Sequence, residues 1–180
     1  MINGINVDAL HRMVGDVAAD AAKGEVEFEV RSRWAGGTRS EARVDRWRLG
    51  GAEGPRDFTI VVDEPEELLG ENQAPNPQEM LMAAFNACMM VGYVAGCSIR
   101  GIALEKVEIH TRGMLDLRGF LGLDKTVKPG YDEIEYTVVI KGDGTQAQFE
   151  DVHRTVIETS PNRWNIANPI RLVSSLVVEG

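Results

Sequence analysis

Apolar side chains change period along this 180-residue chain, and each change marks an element. Near the start, Val7, Leu10, Val14, Val17 and Ala21 recur at spacings of three and four. That spacing predicts an amphipathic helix, with Asn6 placed to cap it and Gly24 to end it. The period then drops to two: Val26, Phe28 and Val30 alternate with Glu27, Glu29 and Arg31, predicting a strand over 25–34 with one wet face. Gly36 and Gly37 turn the chain. Ala42, Val44 and Trp47 place a second strand over 38–49, and a third short strand over 57–62 follows the glycine-rich turn 50–55. Prolines and carboxylates in DEPEELLGENQAPNP, residues 63–77, oppose regular structure and predict a loop.

Residues 76–101 then read NPQEMLMAAFNACMMVGYVAGCSIRG. Asn76 can cap, Pro77 suits the first helical position, and Glu79 completes a capping box, so a helix starts here. No charged side chain occurs over 80–97, and apolar or small residues occupy every face, which predicts burial all round. The run is long enough for a membrane span. Its Ala, Met and Gly content, Asn86 and the lack of basic residues before it favour the central helix of a soluble core. Gly92 and Gly96 form a GxxxG pair that admits a closely packed neighbour. Beyond it, Val107, Ile109 and Thr111 define a strand over 104–117, and Ile134, Tyr136, Val138 and Ile140 another over 133–141. Phe149, Val152, Val156 and Ile157 mark a helix over 146–159, Ser160-Pro161 opens a short one, and 170–178 reads as a last strand.

This order is an α+β arrangement: an N-terminal amphipathic helix over 1–24, then one domain over 25–180 with antiparallel strands around a long buried helix. So few strands cover only one or two sides of that helix. A second copy of the chain is the natural cover, which predicts an obligate homodimer.

A net charge of −9 argues against nucleic-acid and anionic-membrane partners. MINGINVDAL shows no basic stretch leading into an apolar run, and two cysteines in a chain of this size suit a reducing compartment, so the expectation is a cytoplasmic protein. His11, His110 and His153 are scattered without ligand spacing, and no phosphate-binding glycine motif occurs. No metal or cofactor is expected.

The chemistry narrows to the cysteines. Cys97 lies nine residues after Cys88, on the opposite side of the helix and about 13 Å along it, too far for a disulfide that needs Cα atoms within about 7 Å. Cys97 therefore reads as a small packing residue. Cys88 has Ala84, Phe85, Val91 and Gly92 as helical neighbours, a small apolar surface that suits either a pocket for a greasy ligand or tight packing. It lies too far into the helix for the macrodipole to activate it, so reactivity requires a cation from elsewhere.

The segment DEPEELLGENQAPNPQEMLMAAFNAC, followed after about seventy residues by TSPNRWNIANPI, resembles the OsmC/Ohr family of osmotically induced and organic-hydroperoxide-resistance proteins. GGTRSE and DEPxxLxG are similar to its broader OsmC-like branch. The resemblance implies the OsmC-like fold, an intertwined dimer with its site at the subunit interface, and thiol-dependent reduction of hydroperoxides in the peroxidase members. Cys88 falls on the family's reactive cysteine, and Arg39 in GGTRSE on the arginine that accompanies it. Where the family carries an acidic residue ten positions before that cysteine, this chain has Gln78. Where it carries a resolving cysteine before a proline, this chain has Ser160, whose hydroxyl cannot form a disulfide. Two readings follow. One is a stress-response peroxidase in which Cys88 is oxidised and then reduced by an external thiol, or by Cys97 of another chain. The other is a non-catalytic dimer that binds a small apolar ligand at the interface.

Overall fold

The computed structural model describes all residues, 1–180, and divides the chain into two units, 1–83 and 84–180. Helix α1, Val7–Ala19, opens the first unit, and the Asn6 carboxamide accepts from the Ala9 N–H at 3.0 Å, as its capping position requires. The helix ends two residues before Ala21, because Asp20 caps a separate 3-10 turn, Ala21–Gly24.

The strand expected over 25–34 is broken. Val26–Glu27 (β1) and Arg31–Trp34 (β2) pair antiparallel with the two ends of one edge of Ser40–Leu49 (β3). Ala52–Val62 (β4) occupies the other edge of β3. The turn before β4 needs only Gly50 and Gly51, both with positive φ, at 57° and 79°. Pro55 therefore lies within β4, opposite Arg46, beside the register shift after Val44 where its missing N–H is tolerated.

This sheet has no dry face. Asp63 is the sole buried residue of the first unit, and Phe28 and Trp34 are 86% and 76% exposed. Cross-strand ion pairs lace the sheet instead: Arg31 to Asp45 at 2.6 Å, Arg43 to Asp57 at 2.7 Å, Arg48 to Glu27 at 2.7 Å, and Arg46 to Glu29. Exposed pairs of this kind contribute about 0–1 kcal/mol each. Asp63 organises the loop that follows β4. Its carboxylate accepts from the Thr38 hydroxyl at 2.7 Å and from the backbone N–H groups of Glu64, Glu71 and Gln73 at 2.9–3.1 Å. Those bonds hold its pKa below the usual carboxylate range, the Thr38 bond being the largest cause.

The long helix α2, Pro77–Ile99, starts on the expected capping box: Asn76 and Glu79 exchange two side-chain to backbone bonds of 2.9 Å. Its part beyond residue 83 belongs to the second unit. There Leu104–Gly113 (β5) and Ile134–Gly142 (β6) form an antiparallel pair, with the short helix α3, Leu117–Phe120, in the connection. Helices Gln146–Thr159 (α4) and Pro161–Ala167 (α5) follow.

The buried hydrophobic core lies wholly in this unit, built on Phe85, Met89, Tyr93 and Cys97 at every fourth position of α2, with Ile102, Val152 and Val156. Ile109, Tyr136, Val138 and Ile140 pack against it from the sheet. The GxxxG pair finds its neighbour within the chain: a Cβ at Gly92 would stand 3.1 Å from a Val156 methyl, and one at Gly96 3.1 Å from a Val152 methyl. Helix α4 therefore seats its valines, four residues apart, in the two glycine notches. Asn86, the polar residue in the apolar run, donates to the Ile109 carbonyl at 3.3 Å and accepts from the Thr111 hydroxyl at 2.5 Å, which clips α2 to β5.

In a single copy helix α2 is buried along one stripe, with Val91 68% exposed, because two strands and α4 have surface enough for a single face. One further expectation needs correction: the last strand is absent. Residues 169–180 carry no regular structure, and Leu172 is 89% exposed, because no strand edge lies alongside to complete their hydrogen bonds. The α+β class, with antiparallel sheets and a central helix, stands as expected.

Candidate functional site

Ser160 ends α4 and begins α5, with Pro161 at the first helical position. Its extended backbone, φ −69° and ψ 117°, is that of an N-cap, and the expected role of its hydroxyl is to cap. It makes no capping bond. The hydroxyl of this 6%-exposed side chain instead donates to Cys88 Sγ at 3.5 Å, across 72 residues of sequence. Cys88 itself is partly exposed, so the sulfur is reachable while held against a donor.

Three side chains missed by the sequence reading hold this corner together. Asn162 donates to the Ala84 carbonyl at 2.8 Å, which ties the first turn of α5 to the turn of α2 before Cys88. Arg163 donates through one terminal nitrogen to the Ile157 carbonyl at 2.9 Å and through Nε to the Tyr136 hydroxyl at 3.3 Å. The Tyr136 ring meets Phe85, three residues before Cys88, edge-on at 5.1 Å between centroids. Arg163 is therefore a guanidinium fixed one turn after the serine that touches the thiol. The available signal was the composition of TSPNRWNIANPI, in which a helix start is followed at once by Asn and Arg.

The other expected site residues divide as follows. Arg39 and Gln78 fall in the first unit. Arg39 pairs with Glu41 at 3.3 Å, and its Nε is buried without a hydrogen-bond partner. Gln78 is exposed on the first turn of α2, about 15 Å along the helix from Cys88. Cys97 is fully buried, and burial pushes its thiol pKa up, the setting of an inert packing residue. No group of three or more potential metal ligands occurs in the chain.

A second pair of groups lies on the other side of α2. The Tyr93 hydroxyl is 2.5 Å from His153 Nδ1, and the two rings stack with centroids 5.9 Å apart. Burial pushes the Tyr93 pKa up to about 12. His153 is half-buried and anchored from beneath by this bond.

The sequence profile of the OsmC-like proteins matches residues 70–174, which includes Cys88, Ser160 and Arg163. No curated protein matches the chain. Among solved structures, the OsmC-like protein of Mycoplasma pneumoniae superposes with a TM-score of 0.61 at 13% identity, over 78% of this chain and 87% of its own. An OsmC-like protein of unknown function from Vibrio cholerae gives 0.54 at 15% identity, over 76% and 91%. An organic hydroperoxide resistance protein, OsmC, from Legionella pneumophila gives 0.51 at 17% identity, over 79% and 91%. At these identities the likeness is one of fold. The profile spans more than half of the chain, its matched range includes both Cys88 and Ser160, and the same fold recurs in these structures: the chain belongs to the family of OsmC-like proteins.

Proposed function

We propose that this protein reduces organic hydroperoxides through Cys88 and an external thiol. The observation that carries the reading is the Ser160 hydroxyl, which leaves its capping position unused and donates to Cys88 Sγ at 3.5 Å. That contact holds the partly exposed sulfur in place where a small substrate can reach it. In the first step the Cys88 sulfur attacks the outer oxygen of R–O–OH and the O–O bond breaks. Cysteine sulfenic acid forms, and the alkoxide leaves as ROH after taking the thiol's proton. Ser160 has no sulfur to complete a disulfide, so a small thiol R′SH condenses with the sulfenic acid to a mixed disulfide and water. A second R′SH then releases Cys88 as a thiol and leaves as R′SSR′. The hydroperoxide resistance named for the Legionella relative is in keeping with this chemistry.

The chain is further proposed to act as a homodimer. The support is the apolar surface left uncovered on a single copy, in the first sheet and along residues 169–180. The test is oxidation by cumene hydroperoxide followed by intact mass and thiol-coupled turnover, in the wild type and in Cys88→Ser, Cys97→Ser and Ser160→Ala variants. The reading expects one oxygen added at Cys88, turnover lost in Cys88→Ser, slowed in Ser160→Ala and kept in Cys97→Ser. A folded wild type whose Cys88 stays unmodified at excess peroxide would end it.

A further inference from the structure

We propose that the groove between β6 and α4 is a second binding site, for a small apolar molecule bearing a hydroxyl group, such as a phenol or an arylalkyl alcohol, seated between Glu150 and His153. The groove has a volume of about 700 Å³ and is lined by neither Cys88 nor Ser160, so the proposal stands whether or not Cys88 turns over.

The argument starts from one buried proton. Tyr93 is buried and its hydroxyl stays protonated at any ordinary pH, so that proton needs an acceptor. Its partner is His153 Nδ1. An imidazole that accepts at Nδ1 carries its own proton, when neutral, on Nε2. No protein group takes that Nε2–H, and His153 lines the groove. Tyr93 thus fixes a histidine tautomer that presents a donor there.

Glu150 stands three residues earlier on α4 and also lines the groove, which places it one turn from His153 on the same helix face. One of its oxygens accepts from Gln146 at 2.7 Å, and the other is free to accept again. A donor and an acceptor one turn apart complement a hydroxyl, which accepts from Nε2–H and donates to the carboxylate. They do not complement the alternatives. A carboxylate ligand would meet Glu150 with no Lys or Arg in the lining to offset it, and an ammonium would have no use for Nε2–H. The remaining walls, Tyr136, Val138, Ile140 and Phe149, suit an apolar, ring-sized body.

The experiment titrates the full chain with 4-ethylphenol, with ethylbenzene and 4-ethylbenzoate as matched probes. It is read by calorimetry and by the ¹⁵N resonances of the histidine side chains. Saturable phenol binding is expected, about tenfold or more tighter than either control, as one net hydrogen bond is worth, with a shift of the His153 Nε2–H signal. His153→Phe keeps a ring on Tyr93 but loses the donor, and should weaken phenol binding about tenfold. Glu150→Gln, an exposed change that leaves the fold intact, should narrow the preference for phenol over benzoate. Cys88→Ser should leave binding unchanged, which separates this site from the peroxide reading. Equal affinity for phenol and benzoate, no saturable binding, a proton found on Nδ1, or an unaltered preference in Glu150→Gln would each overturn the proposal.

Discussion

Replacing Gly92 by Leu probes the crossing of α2 and α4 on which the second unit is built. A Cβ at this position lies 3.1 Å and 3.3 Å from the two Val156 methyls, inside ordinary van der Waals contact. Helix α4 cannot simply retreat, since Val152 is seated equally close on Gly96. Overpacking of a formed core costs about 1–3 kcal/mol, while replacing a helical glycine returns about 0.8 kcal/mol of backbone entropy. The net loss is then up to about 2 kcal/mol, and Gly92→Ala, with little to fit beyond the Cβ, should change stability by less than about 1 kcal/mol. Val156→Ala alone removes two buried methyls and should cost about 1.5–2.5 kcal/mol. In the double variant the leucine enters the space the valine vacates, so the combined loss should fall short of the sum by about 1 kcal/mol. Urea midpoints at one fixed protein concentration, with unchanged slope, provide the numbers. Additivity within about 0.5 kcal/mol would mean that Gly92 and Val156 do not meet, and the crossing would be wrong.

Three further outcomes are expected. Ser160→Cys places a sulfur where an oxygen now stands 3.5 Å from Cys88 Sγ. Mild oxidation should join the two with loss of two hydrogens by intact mass, and a variant that keeps every thiol free would show the corner to be too wide. Asp63, with its pKa held low, contributes stability that is present above its unfolded value of about 4 and is lost as pH falls through the lower folded value. Asp63→Asn should therefore be less stable than wild type by a constant margin above about pH 5, and the margin should close below about pH 4; a margin unchanged at pH 2–3 would refute the assignment. Removing residues 169–180 takes away Leu172, Val173, Leu176 and Val177, all exposed on a single copy. If a second copy buries them, even one is worth about 1.5–3 kcal/mol, so the dimer should dissociate at more than tenfold higher concentration. Unchanged dimer sedimentation would show that they bury nothing.

The local elements were legible because their causes are local. Asn6, Asn76 with Glu79, and Ser160-Pro161 mark helix starts through bonds or dihedral limits that reach three residues at most. The alternation expected over 104–117 and 133–141 became a pair of strands with one face on the core, the first ending at Gly113 before the short helix α3, and Gly92 and Gly96 mark the close neighbour that α4 supplies. The pattern over 25–34 misled, because alternation states which positions share a face but not whether anything covers it. The pairing with β3 breaks between Glu27 and Arg31, and Phe28 projects into solvent.

What the sequence by itself determined was most of the elements and their order, though neither the break over 25–34 nor the lack of a last strand, and the placing of Cys88 and Ser160 in motifs of one family. Only the tertiary structure decided which groups meet. The Ser160 hydroxyl could cap α5 or face the thiol, and the docking of α5 on α2 through Asn162 turned it to Cys88. Tyr93 and His153 lie 60 residues apart with no shared motif, and they form a pair because α4 settles against the buried stripe of α2. Helical and strand periods follow from the chain's own dihedral geometry over a few residues. The partner of a side chain depends instead on how distant surfaces pack, and no single stretch of sequence contains that information.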